Sequence, residues 1–265
     1  MNATVAPTHI EHALPRTMPA ARTLRAYVLE ARYESLRMLR APAFAGPFLL
    51  IPVALYLLFA VLLFGAAIGK DAQAGLYIFM GFSILGVMGP GMFGFGITVA
   101  MEREQGLLKL KRAWPMPRAA SLIAKMAMSM LFVAIVMGTM VMAAPLGHLR
   151  INAGQLLAVS LVNVAGALPF CALGFFIGAF ASGKAAPAFV NLLYLPMIYL
   201  SGILFPLPKP MQWVALLSPA YHLDQLGFAS MGIPSTGSPV VHVLVLLGIT
   251  FGFGALALRR LARVD

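Results

Sequence analysis

The sequence has few charged side chains. Only 10% of its 265 residues are Asp, Glu, Lys or Arg, whereas 61% are hydrophobic. A soluble domain carries about 25% charged residues, so this chain has too little polar surface to cover a soluble globule. The composition predicts an integral membrane protein. Its net charge of +11 fits basic loops beside a membrane better than a nucleic-acid-binding surface.

Cysteine is almost missing as well. The one cysteine, Cys171, lies in an apolar run, which excludes an intrachain disulfide and a metal site built from several cysteines. The N-terminal residues 1–20 lack the apolar core of a cleaved signal peptide. We expect them to form a disordered polar tail ahead of a membrane domain at 21–265.

Uncharged apolar runs of about 20 residues, the length that crosses a bilayer as a helix, occur six times. The predicted fold class is therefore an all-α integral membrane protein with six transmembrane helices, at residues 48–69, 76–100, 126–146, 156–180, 185–206 and 240–258. Of the 19 Lys and Arg residues, 16 lie on one side of this arrangement. The positive-inside rule then places both termini in the cytoplasm.

Two further segments are predicted at the membrane surfaces. Residues 21–40 place Leu24, Tyr27 and Met38 on one helical arc, opposite most of their charged residues, which predicts an amphipathic helix flat in the cytoplasmic interface. A helix packed on a partner is the alternative. Residues 207–231 are apolar but broken by prolines, and we predict external re-entrant helices there, with a simple amphipathic surface helix as the alternative.

Small residues and one proline predict how the spans pack. Gly174 and Gly178, and likewise Gly248 and Gly252, stand four residues apart, which allows close approach of another helix within the chain or in a second copy. Pro90 should kink the second span.

Two motifs resemble catalytic ones without completing them. The letters GAFASGKA at 178–185 match a phosphate loop, but Ala185 stands where Ser or Thr would hold magnesium, so we interpret Gly183 and Lys184 as a turn. The letters YLSG at 199–202 hold Ser201, and His242 lies in another span, yet serine in a membrane helix usually serves packing. We predict no catalytic, cofactor or metal site in this chain.

The source of energy is a separate question. No Asp, Glu, Lys or Arg falls inside the six predicted spans, which argues against transport coupled to an ion gradient. Energy would then come from a cytoplasmic partner. An ion-coupled carrier and an intramembrane enzyme or scaffold remain the alternatives.

The segment 101–118 concentrates charge directly after an uncharged run. A topology signal needs its lysines and arginines but not Glu102 and Glu104, which flank Arg103. Such a mixed pattern suits ion pairs with a partner protein at the membrane face. A solvated charged loop is the alternative.

At these residues the chain resembles the permease subunits of type-2 ATP-binding-cassette exporters. The letters EREQGLLKLKRAWPMPR at 102–118 resemble the family element that follows the second span, with Leu107 in place of the usual threonine. The letters YLSGILFPLPKPMQWVALLSPAYHLDQL at 199–226 resemble a second family stretch. Together with six spans, these motifs cover nearly the whole chain from about residue 21.

The resemblance implies an interface helix, six spans and re-entrant helices before the last span. It also implies two permease copies, which we expect to form a homodimer, with pairing to a related permease as the alternative. Each copy would dock a separate ATP-binding-cassette ATPase that holds ATP and magnesium. The coupling residues would be Glu102, Arg103, Glu104 and Gly106. The implied location is the bacterial inner membrane.

The implied activity is ATP-driven export of a hydrophobic drug-like (multidrug efflux) or lipid-like substrate from the cytoplasm or inner leaflet. Export of a polysaccharide or lipid-linked glycan by the same architecture is an alternative. Candidate residues for the substrate path are Asn191, Tyr194, Met197, Tyr199 and Ser201. Those of the external re-entrant segment are Pro206, Trp213, Pro219 and Tyr221.

Overall fold

A computed structural model describes residues 19–65, 72–113, 119–147, 151–202 and 212–264, together with Pro117, Leu149 and Pro208. Most of these described residues are helical, with no strand among them. The helices are α1 (Ala20–Leu39), α2 (Pro42–Leu57), α3 (Ala72–Gly89), α4 (Gly96–Glu104), α5 (Leu107–Ala113), α6 (Ala120–Ala143), α7 (Ala153–Ala165), α8 (Ala167–Phe180), α9 (Ala186–Leu200), α10 (Gln212–Ala215), α11 (Pro219–Ser230) and α12 (Pro239–Val264).

Within the described residues, five continuous helical stretches are long and apolar enough to cross a membrane. They are Pro42–Leu63, Gln73–Glu104, Ala120–Gly147, Ala153–Phe180 and Pro239–Arg263. The chain is therefore an all-helical, multi-pass membrane protein. Helix α9 is apolar but has 15 residues, a length of about 22 Å, against about 30 Å of hydrocarbon core. The predicted fifth span, 185–206, extends past α9, and its residues 203–206 lie outside the described part.

Several helix starts follow from local sequence. Pro42 occupies the first position of α2, where its fixed φ suits a helix and its missing N–H costs nothing. Asn152 and Gln155 form a capping box at the start of α7, each side chain bonding the other residue's backbone N–H. These caps fix where the chain re-enters helix after the turns.

The second of these long helical stretches, Gln73–Glu104, is called the second long helix here and contains a wide turn in its middle. Residues Pro90–Phe95 form a π-helical segment between α3 and α4. Pro90 has no N–H to donate, and its carbonyl accepts a hydrogen bond from Ser129 Oγ at 3.2 Å. The position predicted to kink this span, Pro90, is thus the first residue of a π-helical turn.

Helix α8 lies against this second long helix at glycines. A Cβ added to Gly174 would lie 2.5 Å from the Gly91 carbonyl oxygen, and one added to Gly178 would lie 2.5 Å from that of Gly96. The two backbones therefore touch, which only glycine permits. The small-residue pair at 174 and 178 serves packing within the chain, while Gly248 and Gly252 have open space where a Cβ would be.

Candidate functional site

The end of the second long helix carries the charged residues predicted to couple to a partner. Glu102 is buried there and accepts a hydrogen bond from Lys125 Nζ at 2.9 Å. Lys125 has no exposed surface, and its Nζ also lies 2.6 Å from Glu34 Oε1 of α1. One lysine of α6 therefore joins two carboxylates that belong to α1 and α4.

Further cations complete the cluster. Arg37 lies 2.7 Å from Glu34 and 3.3 Å from Glu102. Lys111 of α5 lies 3.0 Å from Glu30 and 3.7 Å from Glu102. Three carboxylates thus face three cations, so the cluster has no net charge, as a buried ionic group requires.

The cluster determines how α1 is held. The structure packs α1 along α6 and buries Glu34, Ser35 and Met38 at that contact. Leu24 and Val28, on the arc predicted to face lipid, are exposed. Its polar side is not simply turned to water, because Glu30 and Arg37 pair with Lys111 and Glu102 of the coupling segment, residues 101–118.

Arg103 and Glu104 hold a different part of the chain. Arg103 donates to the carbonyl oxygens of Ala179 and Ala181, the latter at 2.6 Å. Glu104 Oε2 accepts from the backbone N–H of Gly183 at 2.6 Å. These bonds fasten the end of α4 to the turn between α8 and α9. They also place a carboxylate on the apparent phosphate loop, where it would repel a phosphate.

After Glu104 the chain turns outward. Gly106 has φ of +71°, a left-handed conformation that glycine adopts without strain. Gln105, Lys109 and Leu110 are exposed. A groove of about 380 Å³ lies between α1 and this segment, lined by Glu30, Tyr33, Glu34, Arg37, Glu102, Leu107, Leu110 and Lys111. Its rim is both charged and apolar, as a protein-binding surface commonly is.

The residues predicted for a substrate path do not converge on one point. Met197 is buried, while Asn191 and Tyr199 are exposed. Tyr194 packs edge-on against Phe93, with its hydroxyl 3.4 Å from the Leu85 carbonyl oxygen. Ser201 is buried and donates to Ile198 O at 2.9 Å, so its hydroxyl serves its own helix end.

Met197 borders a large apolar groove. The groove has a volume of about 700 Å³ and lies between α8, α9 and α12. Its lining is almost entirely hydrophobic: Leu173, Phe176, Ile177, Phe180, Ala181, Phe189, Leu192, Leu193, Met197, Leu217, Pro219, Ile249 and Phe253. A groove of this size fits a drug-sized molecule or part of a lipid.

The opposite end of the molecule contains the residues predicted for the external segment. Trp213 is exposed in α10, and Pro219 begins α11. Tyr221 lies edge-on to the rings of His222 and His242. Pro206 lies outside the described residues.

The environment of Ser201 argues against a serine protease. The ring nitrogens of His242 lie 2.7 Å from His222 Nδ1 and 2.8 Å from Thr236 O. Both nitrogens therefore have partners other than Ser201. The buried Asp224, nearby on α11, accepts from Gln225 at 3.2 Å. Burial raises the pKa of Asp224 to about 7.

Sequence reasoning missed Glu34 and Lys125 as site residues. On a helical wheel of α1, Glu34 falls next to Tyr27 at the border of the apolar arc. This position is the one signal in the sequence that Glu34 faces the protein. The sequence places Lys125 directly before the span predicted from residue 126, whereas helix α6 starts at Ala120 and includes it. Their pairing joins residues 91 positions apart, which no local spacing can indicate.

Comparison with known proteins gives a family and a relative of the chain. The family model described as ABC-2 type transporter matches residues 26–226, a range that includes both motifs quoted above. The chain is also similar to "Putative transport permease YvfS" of Bacillus subtilis (strain 168). The two are 27% identical over 219 residues, which cover 81% of this chain and 88% of that protein.

Proposed function

Because the chain belongs to the ABC-2 type transporter family, we propose that it is the permease subunit of an ATP-driven exporter and that a separate ATPase docks at its coupling segment. The observation that carries this proposal is the fastening of three consecutive residues, Glu102, Arg103 and Glu104, to two other parts of the chain, helix α6 and the turn between α8 and α9. A segment tied in this way transmits movement.

The docking contact falls on the outward-turned residues. Glu102 is buried, so its carboxylate serves the permease and not the ATPase in this conformation. Exposed Leu110 and Tyr33 border the groove between α1 and α5. A helix or loop of the ATPase would place apolar side chains there and meet the charges of Glu30 and Lys111 at the rim.

Movement then has two routes into the membrane. In the first route, movement of Glu102 is passed to Lys125 and so to α6, and Lys125 passes it on to Glu34 of α1. Through Arg103 and Glu104 it reaches the turn between α8 and α9. Closure of two ATPases on ATP would thus shift the helices that border the apolar groove.

The apolar groove supports the proposed substrate class. Its lining offers dispersion and apolar burial but almost no hydrogen-bonding groups, which suits a hydrophobic drug-like or lipid-like molecule. Met197 adds an adaptable side chain. A glycan would need more polar and stacking groups, so we rank glycan export second.

The assembly would contain two permease copies and two ATPases in a bacterial inner membrane, with both termini in the cytoplasm. Helix α9 supports pairing, since Leu192, Leu195 and Tyr199 on it are exposed. The region 185–206 would complete a sixth span, and 207–231 would form the external re-entrant segment.

The experiment separates docking from transmission. The permease is co-expressed with its ATPase, and pull-down, ATP hydrolysis and export of a panel of hydrophobic compounds are measured. We expect Leu110→Asp to abolish pull-down. Arg103→Ala should keep pull-down but lower export at least tenfold, because the turn between α8 and α9 loses its hydrogen bonds to the Arg103 side chain. Arg263→Ala, an exposed cation elsewhere, is the control.

Two outcomes would overturn the proposal. If Leu110→Asp and Arg103→Ala bind ATPase and export like Arg263→Ala, the segment does not couple. If export continues without ATP but stops when the ion gradient is collapsed, the chain is an ion-coupled carrier.

A further inference from the structure

Two histidines meet in an unusual way where α11 approaches the start of α12. His222 and His242 are both 3% exposed, and their Nδ1 atoms lie 2.7 Å apart. The second nitrogen of each ring faces a backbone carbonyl oxygen. His222 Nε2 lies 2.9 Å from Leu216 O, and His242 Nε2 lies 2.8 Å from Thr236 O.

This geometry determines where the protons are. A carbonyl oxygen only accepts, so both Nε2 atoms must carry hydrogen. A neutral histidine has one N–H, and both Nδ1 atoms would then present lone pairs to each other at hydrogen-bond distance. One additional proton converts this repulsion into an N–H···N hydrogen bond.

We propose that His222 and His242 together bind one proton, shared between their Nδ1 atoms, and that this proton fastens the segment 212–237 to α12. The pair holds one proton and not two. Burial lowers the pKa of His222 most, the Leu216 carbonyl raises it, and the charge of the neighbouring His242 ring lowers it further. This repulsion between the two rings opposes a second proton on the pair.

The described residues around the pair contain few other charges. On α11 itself, Tyr221 lies edge-on to both rings, and Asp224 is linked to the pair indirectly. Asp224 accepts a hydrogen bond from the Gln225 amide, and Gln225 accepts one from the backbone N–H of Thr236. The carbonyl oxygen of Thr236 in turn faces His242.

The elements packed against α11 add only weakly titrating or distant groups. Helices α3, α7 and α9 contact α11 and contain no Asp, Glu, Lys or Arg. Their titratable side chains are Tyr77, Tyr194 and Tyr199. The first arginine of α12, Arg259, is further along that helix by about 25 Å. Among the described residues of α11 and of the helices that contact it, the pair and Asp224 are thus the groups other than tyrosine and the distant arginines of α12 that can gain or lose a proton.

The shared proton has a structural consequence. His222 is tied to Leu216 after α10, and His242 is tied to Thr236 before α12, so the hydrogen bond closes both ends of the segment onto each other. Loss of the proton to water leaves two facing lone pairs. The rings must then move apart, or one of them must give up its hydrogen bond to a backbone carbonyl oxygen. The segment is therefore held more tightly in acid than in alkali.

The direct test is NMR of the full-length permease in lipid nanodiscs, labelled with ¹⁵N on its five histidines. We expect a coupling between two Nδ1 nuclei across the hydrogen bond at about pH 5, lost at about pH 8.5, on either side of the ordinary histidine pKa. His12→Gln should keep the coupling, and His242→Gln should lose it. Absence of any coupling at every pH would overturn the proposal.

A second measurement reports the segment itself. The chain has two tryptophans, so Trp114→Phe leaves Trp213, on α10, as the fluorescent reporter. We expect its emission maximum to shift between the two pH values, with the shift lost in His222→Gln and His242→Gln and kept in Asp224→Asn. A shift that disappears in Asp224→Asn but persists in both histidine variants would assign the response to Asp224 and overturn the proposal. Because every variant is compared with itself across pH, a general loss of stability does not imitate this pattern.

Discussion

Lys125 is the residue on which the charged cluster depends most. Its ammonium group is fully buried between Glu34 and Glu102. Lys125→Met would leave two buried carboxylates with only the outer cations Arg37 and Lys111. Breaking a buried ion pair from one side costs about 3–5 kcal/mol, so we expect a loss of that order in the free energy of unfolding, measured by denaturant titration in detergent.

The matched control is Lys109→Met, which removes an exposed lysine of the same segment and should change stability by less than about 0.5 kcal/mol. Adding Glu102→Gln to Lys125→Met should recover part of the loss, since one buried charge is removed with its partner. Equal stability of Lys125→Met and Lys109→Met would mean that the cluster is open to water.

Asp224 gives stability a defined pH dependence. Burial raises its pKa in the folded protein to about 7, above the value of about 3.9 in an unfolded chain. The folded state therefore prefers the protonated acid, and its contribution to stability is fully present below pH 4. Between pH 4 and pH 7 the contribution falls by about 1.4 kcal/mol per pH unit, and above pH 7 it changes little.

Asp224→Asn should remove this slope, because asparagine does not titrate. The measurement is the unfolding free energy of both proteins at several pH values between 4.5 and 8. Parallel curves for the two proteins would show that the Asp224 carboxylate is solvated.

Among the helices, the contact of α8 with the second long helix depends on glycine. Gly174→Ala would place its Cβ 2.5 Å from Gly91 O and 3.0 Å from Met92 Cα, both of them backbone atoms that cannot rotate away. Such overpacking costs about 1–3 kcal/mol. Gly252→Ala, on α12, meets open space and should be neutral or slightly stabilising, because alanine favours helix. Thermal unfolding in nanodiscs compares them, and similar midpoints would contradict the close contact.

The helices were largely predictable from the sequence, whereas their partners were not. Apolar runs indicate membrane helices because a bilayer leaves the backbone no other hydrogen-bonding partner, and Pro90 and Gly106 mark turns by their own backbone chemistry. The spacing of Glu102 and Glu104 indicates that they bind something. It does not indicate whether Lys125 and Gly183 or another protein supplies the partner, because those contacts are set by tertiary packing.

For the whole chain, the charge asymmetry predicts which ends of the helices face the cytoplasm. Leu110 lies at the basic end, and Trp213 lies in α10 near the start of α12, at the other end. Both side chains are exposed, while the native Cys171 is buried, so single cysteines can be introduced without removing it. We expect a membrane-impermeant maleimide on intact cells to label Trp213→Cys, and to label Leu110→Cys only after the cells are permeabilised.

The unsubstituted chain is the control and should stay unlabelled in both conditions, since Cys171 is inaccessible. The reason for the expected asymmetry is energetic: the 16 cations on one side resist translocation, whereas the segment that contains Trp213 carries a single lysine, Lys209. Labelling of Leu110→Cys on intact cells would reverse the orientation. It would also remove the proposed ATPase site from the compartment that contains ATP, so one result would refute both the topology and the coupling mechanism.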